Sequence, residues 1–151
     1  MNKTILIYDT CTKNTKLIAD EIAKELNCPT HTIQTIQNIN NYNLIILGTP
    51  VHAFRPTKKI KQFLDTIKKP KYCAVFCTYG APLFGKKSAE NCLNYMKKKL
   101  DAPCIAEFKC PGCHHILKTH KNSPDENDLA NARLFAKKIL DKETLINSKS
   151  Q

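Results

Sequence analysis

Short, nearly unbroken apolar runs alternate along this chain with segments whose apolar residues recur every three or four positions. That alternation predicts strands and helices taken in turn. The strand candidates are residues 4–8, 30–33, 43–47, 72–77 and 104–109. The first, third and fourth are almost continuously apolar, as a parallel strand covered by helices on both faces requires, so they belong in the middle of a sheet. The second is polar. The fifth alternates Cys104, Ala106 and Phe108 against Ile105, Glu107 and Lys109, and both are placed at the edges. The expected fold class is α/β: a doubly wound three-layer sandwich whose five-stranded parallel sheet runs in the order 2-1-3-4-5, with right-handed crossover helices on both faces.

The helical stripes are clear. Ile18, Ala19, Ile22, Ala23 and Leu26 form the first; Ile60, Phe63, Leu64 and Ile67 form the second, behind Pro56 in the first turn. Ala89, Cys92, Leu93, Met96 and Leu100 form the third. The last opens on Ser123-Pro124-Asp125-Glu126, read as a capping box with proline at the first helical position, and buries Leu129, Ala132, Ala136 and Ile139. Residues 144–151 are polar and expected to fray.

Length and composition fit this picture. At 151 residues and 42% hydrophobic, the chain is expected to form a single domain, 1–151, with an ordinary core. The first apolar run is only five residues long, no export signal follows it, and no stretch approaches the roughly twenty apolar residues of a membrane span. A cytoplasmic protein with no membrane association and with its eight cysteines as free thiols is expected. The formal charge is +11 with 24 Lys plus Arg, and Arg55 and Arg133 are the only arginines. Such a field favours anionic ligands or acidic partners. Nucleic acid is not expected as a partner, because no recognition motif accompanies the charge and the lysines are scattered over solvent faces of helices.

In a doubly wound sheet a ligand sits outside the carboxyl ends of the strands where the order reverses, between strands one and three. Three loops lead there. Asp9-Thr10-Cys11-Thr12-Lys13-Asn14-Thr15 joins a buried strand to a helix amino terminus; its hydroxyls, amide and free N–H groups would cradle a phosphate dianion without a metal, and Lys13 would add charge. A hydroxyl-rich helix cap is the plainer reading of the same residues. The third strand runs into Gly48-Thr49-Pro50-Val51-His52-Ala53-Phe54-Arg55-Pro56, and the fourth into Thr78-Tyr79-Gly80-Ala81-Pro82-Leu83-Phe84-Gly85. These two offer aromatic and apolar walls with main-chain polar groups, which suits a flat ring system.

The segments ILIYDTCTKNTKLIADEIAKEL, YNLIILGTPVHAFRPTKKIKQFL, AVFCTYG, FKCPG and SPDENDLANARLFAKKI together resemble the flavodoxin family, especially its short single-domain members. The resemblance implies non-covalent FMN. In that family a T/S-x-T-G-N-T loop holds the FMN phosphate; Thr10, Thr12, Asn14 and Thr15 match it, and Lys13 stands where the family has glycine. A turn that needs glycine's freedom would force Lys13 into an unfavourable backbone conformation or shift the loop, unless its ammonium compensates at the phosphate. By position, Thr49, Pro50, Val51, His52, Ala53 and Phe54 are similar to one segment flanking the isoalloxazine ring, and Thr78, Tyr79, Gly80 and Ala81 to the other.

The implied function is electron transfer between redox partner proteins, with main-chain groups near Gly80 and Ala53 tuning the flavin. The charge motivates an acidic partner such as an iron–sulfur protein, in contrast to the usually acidic flavodoxins. The alternatives are an NAD(P)H-dependent FMN or quinone reductase, and a flavin-free adaptor that kept the fold. No residue is assigned a catalytic role or a metal. Cys110-Pro111-Gly112-Cys113-His114 has the C-x-x-C-H form of haem attachment, with His115 and His120 nearby as candidate ligands, but a structural strand end is favoured. The loop that follows is long enough for a lid or a partner surface. Cys11 is not the nucleophile of a C-x5-R phosphatase, since residue 17 is leucine. A phosphoacceptor receiver domain is excluded by Gly48-Thr49 at the end of strand three. His52 is read as a packing or hydrogen-bonding neighbour of a ring, with proton donation as the alternative. Arg55 is read as an anchor, either for an anion or for its own loop.

Overall fold

A computed structural model describes residues 3–114 and 118–150. The elements are β1 (Thr4–Tyr8), α1 (Asn14–Leu26), β2 (Thr30–Thr32), β3 (Leu44–Pro50), α2 (Lys58–Thr66), β4 (Tyr72–Tyr79), α3 (Gly85–Leu100), β5 (Cys104–Pro111) and α4 (Glu126–Lys149). The five strands pair in parallel in the order β2-β1-β3-β4-β5. That is the α/β sandwich expected from the apolar runs.

Each face of the sheet has its own core. On one side Ile5, Ile7, Ile45, Leu47, Val75 and Cys77 meet Ile60 and Leu64 of α2 and Ala89, Cys92 and Met96 of α3. On the other, Leu6, Tyr8, Ile46, Ala74 and Phe76 meet Ile18, Ala19 and Ile22 of α1 and Ala132, Phe135, Ala136 and Ile139 of α4. Successive strand residues point to opposite faces, so a run with no polar position is the only one that can serve both layers. Each fully buried side chain of this size contributes about 1.5–3 kcal/mol. Gly48 is required by this packing: it is paired with Phe76, and a Cβ there would lie 2.1 Å from Phe76 Cζ.

Several boundaries differ from the sequence reading. The third, fourth and fifth strands continue to Pro50, Tyr79 and Pro111, because the buried Thr49 and Thr78 stay in the sheet instead of opening the loops. The second strand stops at Thr32. Pro56 is not in the first turn of α2; the cap is Thr57, whose hydroxyl accepts from the Ile60 N–H, and Pro56 lies before it. Likewise Ser123 is not the cap of α4. Asp125 accepts from the Asp128 N–H at 2.9 Å and Asp128 Oδ2 accepts from the Asp125 N–H at 2.9 Å, a reciprocal box that leaves Pro124 outside the helix. Ser123 is instead tied backwards, its carbonyl accepting from the Cys113 N–H at 2.9 Å. The helix runs on to Lys149 through residues expected to fray, and the Thr4 hydroxyl donates to Glu143 Oε1 at 2.8 Å.

Candidate functional site

The carboxyl ends of β1, β3, β4 and β5 surround a cavity of about 220 Å³. Its lining comes from four strand ends together with the loops and helix start that follow them. Cys11, Thr12, Asn14 and Thr15 come from the first; Pro50, Val51 and His52 from the second; Thr78, Tyr79 and Gly80 from the third; Gly112, Cys113 and His114 from the fourth. Of the residues named from sequence, Thr12, Asn14, Thr15, Pro50, Val51, His52, Thr78, Tyr79 and Gly80 thus meet at one place. Thr10, Lys13, Thr49, Ala53, Phe54 and Ala81 do not line it. Cys11, Cys113 and His114 were not named as binding residues; the FKCPG segment pointed to the fourth loop, but only as a strand end.

The first loop is held from below. Asp9 is buried; its Oδ1 accepts from the Thr10 N–H at 2.9 Å and its Oδ2 from the Thr57 hydroxyl at 2.6 Å. The Thr57 N–H in turn donates to Thr49 Oγ1 at 3.2 Å. Thr49 and Asp9 therefore build the frame, and Thr49 is a supporting residue with no face on the cavity. Thr15 and Thr78 join their hydroxyls at 2.9 Å, fixing the start of α1 against the end of β4. Asn14 Nδ2 donates to Thr12 Oγ1 at 3.1 Å and to the Cys113 carbonyl at 2.9 Å, closing the first loop onto the fourth. The Thr119 hydroxyl donates to the Gly80 carbonyl at 2.6 Å, and Tyr79 meets His120 edge to face with ring centroids 5.9 Å apart.

Lys13 stands at the cap of α1 with φ 67° and makes no side-chain cap hydrogen bond. This is the left-handed region that glycine occupies without cost, so the lysine takes the strained conformation and the loop is not shifted. The second loop repeats the feature. His52 and Arg55 exchange both backbone hydrogen bonds, at 2.8 and 3.0 Å, around Ala53 (φ 47°) and Phe54 (φ 67°). A two-residue turn with both central φ positive is ordinarily Asn-Gly. Arg55 lies over the Tyr95 ring, 5.8 Å from its centroid, so it anchors its own loop.

Two groups in these loops are buried without a hydrogen-bond partner among the described residues: Thr10 Oγ1 and His120 Nε2. Cys11 Sγ lies 3.7 Å from His52 Nε2. Burial, with the Asp9 charge, raises the Cys11 thiol above its ordinary value, so it stays protonated near neutrality. Burial also raises Tyr79 and, more strongly, Cys110. Cys110 is thus an inert core thiol, consistent with reading this segment as a strand end. No three His, Cys, Asp or Glu side chains gather into a metal set among the described residues; His115 lies outside them. No helix of the described residues is long and apolar enough to cross a membrane.

Chemically, the arrangement offers an amino-terminal helix end with unpaired N–H groups and hydroxyls on one side, and a half-apolar slot between two loops on the other. A family profile described as a flavodoxin domain matches residues 5–116. The chain is 34% identical over 148 residues to an uncharacterized protein of Methanocaldococcus jannaschii, spanning 91% of this chain and 98% of that one. Oxidised flavodoxin 1 from Bacillus cereus superposes with a TM-score of 0.71 at 19% identity, over 93% of this chain and 98% of that one. A flavoprotein from Lactobacillus acidophilus, solved in complex with FMN, gives a TM-score of 0.59 at 22% identity, over 72% of this chain and 93% of that one. At such identities the two structures speak for the fold alone, while the profile covers most of the sequence: the chain belongs to the flavodoxin domain family.

Proposed function

We propose that this chain binds FMN non-covalently in the cavity at the carboxyl ends of β1, β3 and β4 and works as an electron carrier. The observation that carries this reading is the meeting of Thr12, Asn14 and Thr15 with Val51, His52, Tyr79 and Gly80 around one cavity, in whose first loop Thr10 Oγ1, off the lining, is buried without a hydrogen-bond partner among the described residues. A buried hydroxyl in that state costs about 1–3 kcal/mol, and an incoming anion would relieve it. The residues present fit the group. Thr10, Thr12, Asn14 and Thr15, with the first N–H groups of α1, would hold the phosphate, and the exposed Lys13 adds a positive charge beside it. Pro50, Val51 and His52 would flank the ring on one side and Tyr79 and Gly80 on the other, with Ala53, Phe54 and Ala81 at the rim. Bound there, FMN would supply the redox chemistry, and the protein's part is to bind, orient and shield it.

The surround supports exchange with an acidic redox partner. Lys13, Lys16, Lys58, Lys59, Lys86 and Lys87 are all exposed near the amino termini of α1, α2 and α3, which the parallel topology sets beside the strand ends. Phe54, Leu83 and Phe84 are 44%, 75% and 74% exposed in the second and third loops, offering apolar contact among those charges. The eight free cysteines support a reducing, cytoplasmic setting.

Titration of the purified protein into FMN, followed by flavin fluorescence and the visible spectrum, tests the reading. Saturable quenching at micromolar concentration or below is expected, weakening in Thr10→Val and Asn14→Ala. Unquenched flavin with the wild-type protein shown to be folded overturns it.

A further inference from the structure

At the opposite end of the sheet, β4 and β5 bring two cysteines side by side. Cys73 and Cys104 are register partners, next to the point where the pairing shifts by a residue. The two thiols lie close enough for each to act on the other's ionisation. Cys73 Sγ also lies 3.6 Å from the Ala102 carbonyl and Cys104 Sγ 3.3 Å from the Ala106 carbonyl. The two differ in access: Cys73 is fully buried, whereas Cys104 is exposed on the edge strand. Neighbouring strands lie about 4.8 Å apart, within the range of about 4.4–6.8 Å that a disulfide spans between Cα atoms.

We propose that Cys104 and Cys73 form a reactive thiol pair that reduces low-molecular-weight disulfides and closes into a cross-strand disulfide, with Cys104 attacking and Cys73 resolving. In the first step the Cys104 thiolate forms an S–S bond to one half of the small disulfide and expels the other half as a thiolate, which takes up a proton. In the second, Cys73 attacks Cys104 Sγ and expels the second half, which takes up the proton that Cys73 releases and leaves as a thiol. Two cysteine thiols are oxidised, one small disulfide is reduced to two thiols, and no other reactant is needed.

The local electrostatics divide the roles the same way. The neighbouring Cys73 thiol pulls the Cys104 thiol down to about 7 against partial desolvation, aided by the Ala106 backbone and the Lys97 charge and opposed by Glu107. The neighbouring Cys104 thiol and burial push Cys73 up, as expected of a thiol that waits protonated. The other exposed cysteine, Cys11, is shifted upward and serves as an internal standard. Cys77 and Cys92 also influence one another, but both are buried and closed to a small disulfide. Cys73 lies six positions from Tyr79 along β4, roughly 20 Å at a strand's rise, so the pair acts independently of the flavin reading.

The experiment exposes the reduced full-length protein to oxidised glutathione at pH 7, quenches with an alkylating agent at intervals, and maps each cysteine by mass spectrometry. The expected result is a Cys73–Cys104 disulfide with two glutathiones released per chain. The attack at Cys104 should be at least about fivefold faster than at Cys11, its larger thiolate fraction offset in part by lower nucleophilicity. Cys73→Ala should trap a stable glutathione adduct at Cys104. Cys104→Ser, an exposed change that leaves the core intact, should leave Cys73 reduced. Attack first at Cys11, an adduct at Cys104 that persists in the wild type, or no reaction at either residue of the pair overturns the proposal.

Discussion

Asp9, the first residue of the first loop, accepts the hydroxyl of Thr57 at 2.6 Å, and Thr57 is the cap of α2. One carboxyl group therefore ties the loop after β1 to the helix after β3, with the Thr10 N–H on its other oxygen. Two of the four segments that frame the cavity are set by this contact, and neither residue lines it.

Removing either partner leaves buried polar groups unsatisfied. Asp9→Ala is expected to cost about 2–4 kcal/mol, and Thr57→Ala about 1–2 kcal/mol for the lost cap. In a urea-denaturation double-mutant cycle the pair should couple by about 1–3 kcal/mol; simple additivity would mean that the contact does not hold the loops together.

Lys13 carries a strain that glycine would not. Lys13→Gly should raise the stability of the flavin-free protein by about 1 kcal/mol, since relief of the left-handed conformation outweighs glycine's greater freedom when unfolded. A lower thermal midpoint for the glycine variant would show that the lysine is not left-handed in solution.

Tyr8 and Tyr79 are both raised chiefly by burial, so the folded protein holds these phenolic protons to higher pH than the unfolded chain does. The sign follows: their contribution is fully present below the unfolded value near 10 and is lost as pH rises from there through the folded values. Absorbance titration at 295 nm should show Tyr8 and Tyr79 ionising late. Tyr79→Phe should remove one of them and flatten the alkaline fall in stability. A titration curve left unchanged by Tyr79→Phe at its alkaline end would contradict the burial seen here.

Some of this was legible from the chain and some was not, for identifiable reasons. The sheet order followed from which runs were apolar throughout, because only a strand covered on both faces tolerates no polar position. The helix faces followed from a spacing of three and four, and the location of the cavity from the rule that the order of strands reverses where the loops part. Boundaries were less legible, since Thr49 and Thr78 look like loop residues until the Thr57 N–H and the Thr15 hydroxyl satisfy them inside the sheet.

The tertiary structure alone decided everything that depends on which distant groups meet. Asp9 and Thr57 are 48 residues apart, and no local pattern pairs a carboxyl with a particular hydroxyl at that separation. The left-handed turns at Lys13, Ala53 and Phe54 run against the intrinsic preference of those residues, so only the packing around them could impose the conformation. Cys73 and Cys104 face one another because of the register between β4 and β5, and a slip of one residue would send the two thiols to opposite faces. The chain by itself determined the layers and their order, because periodicity and burial are local and additive. The contacts that shape the site needed the fold, because a buried hydrogen bond depends on two positions at once.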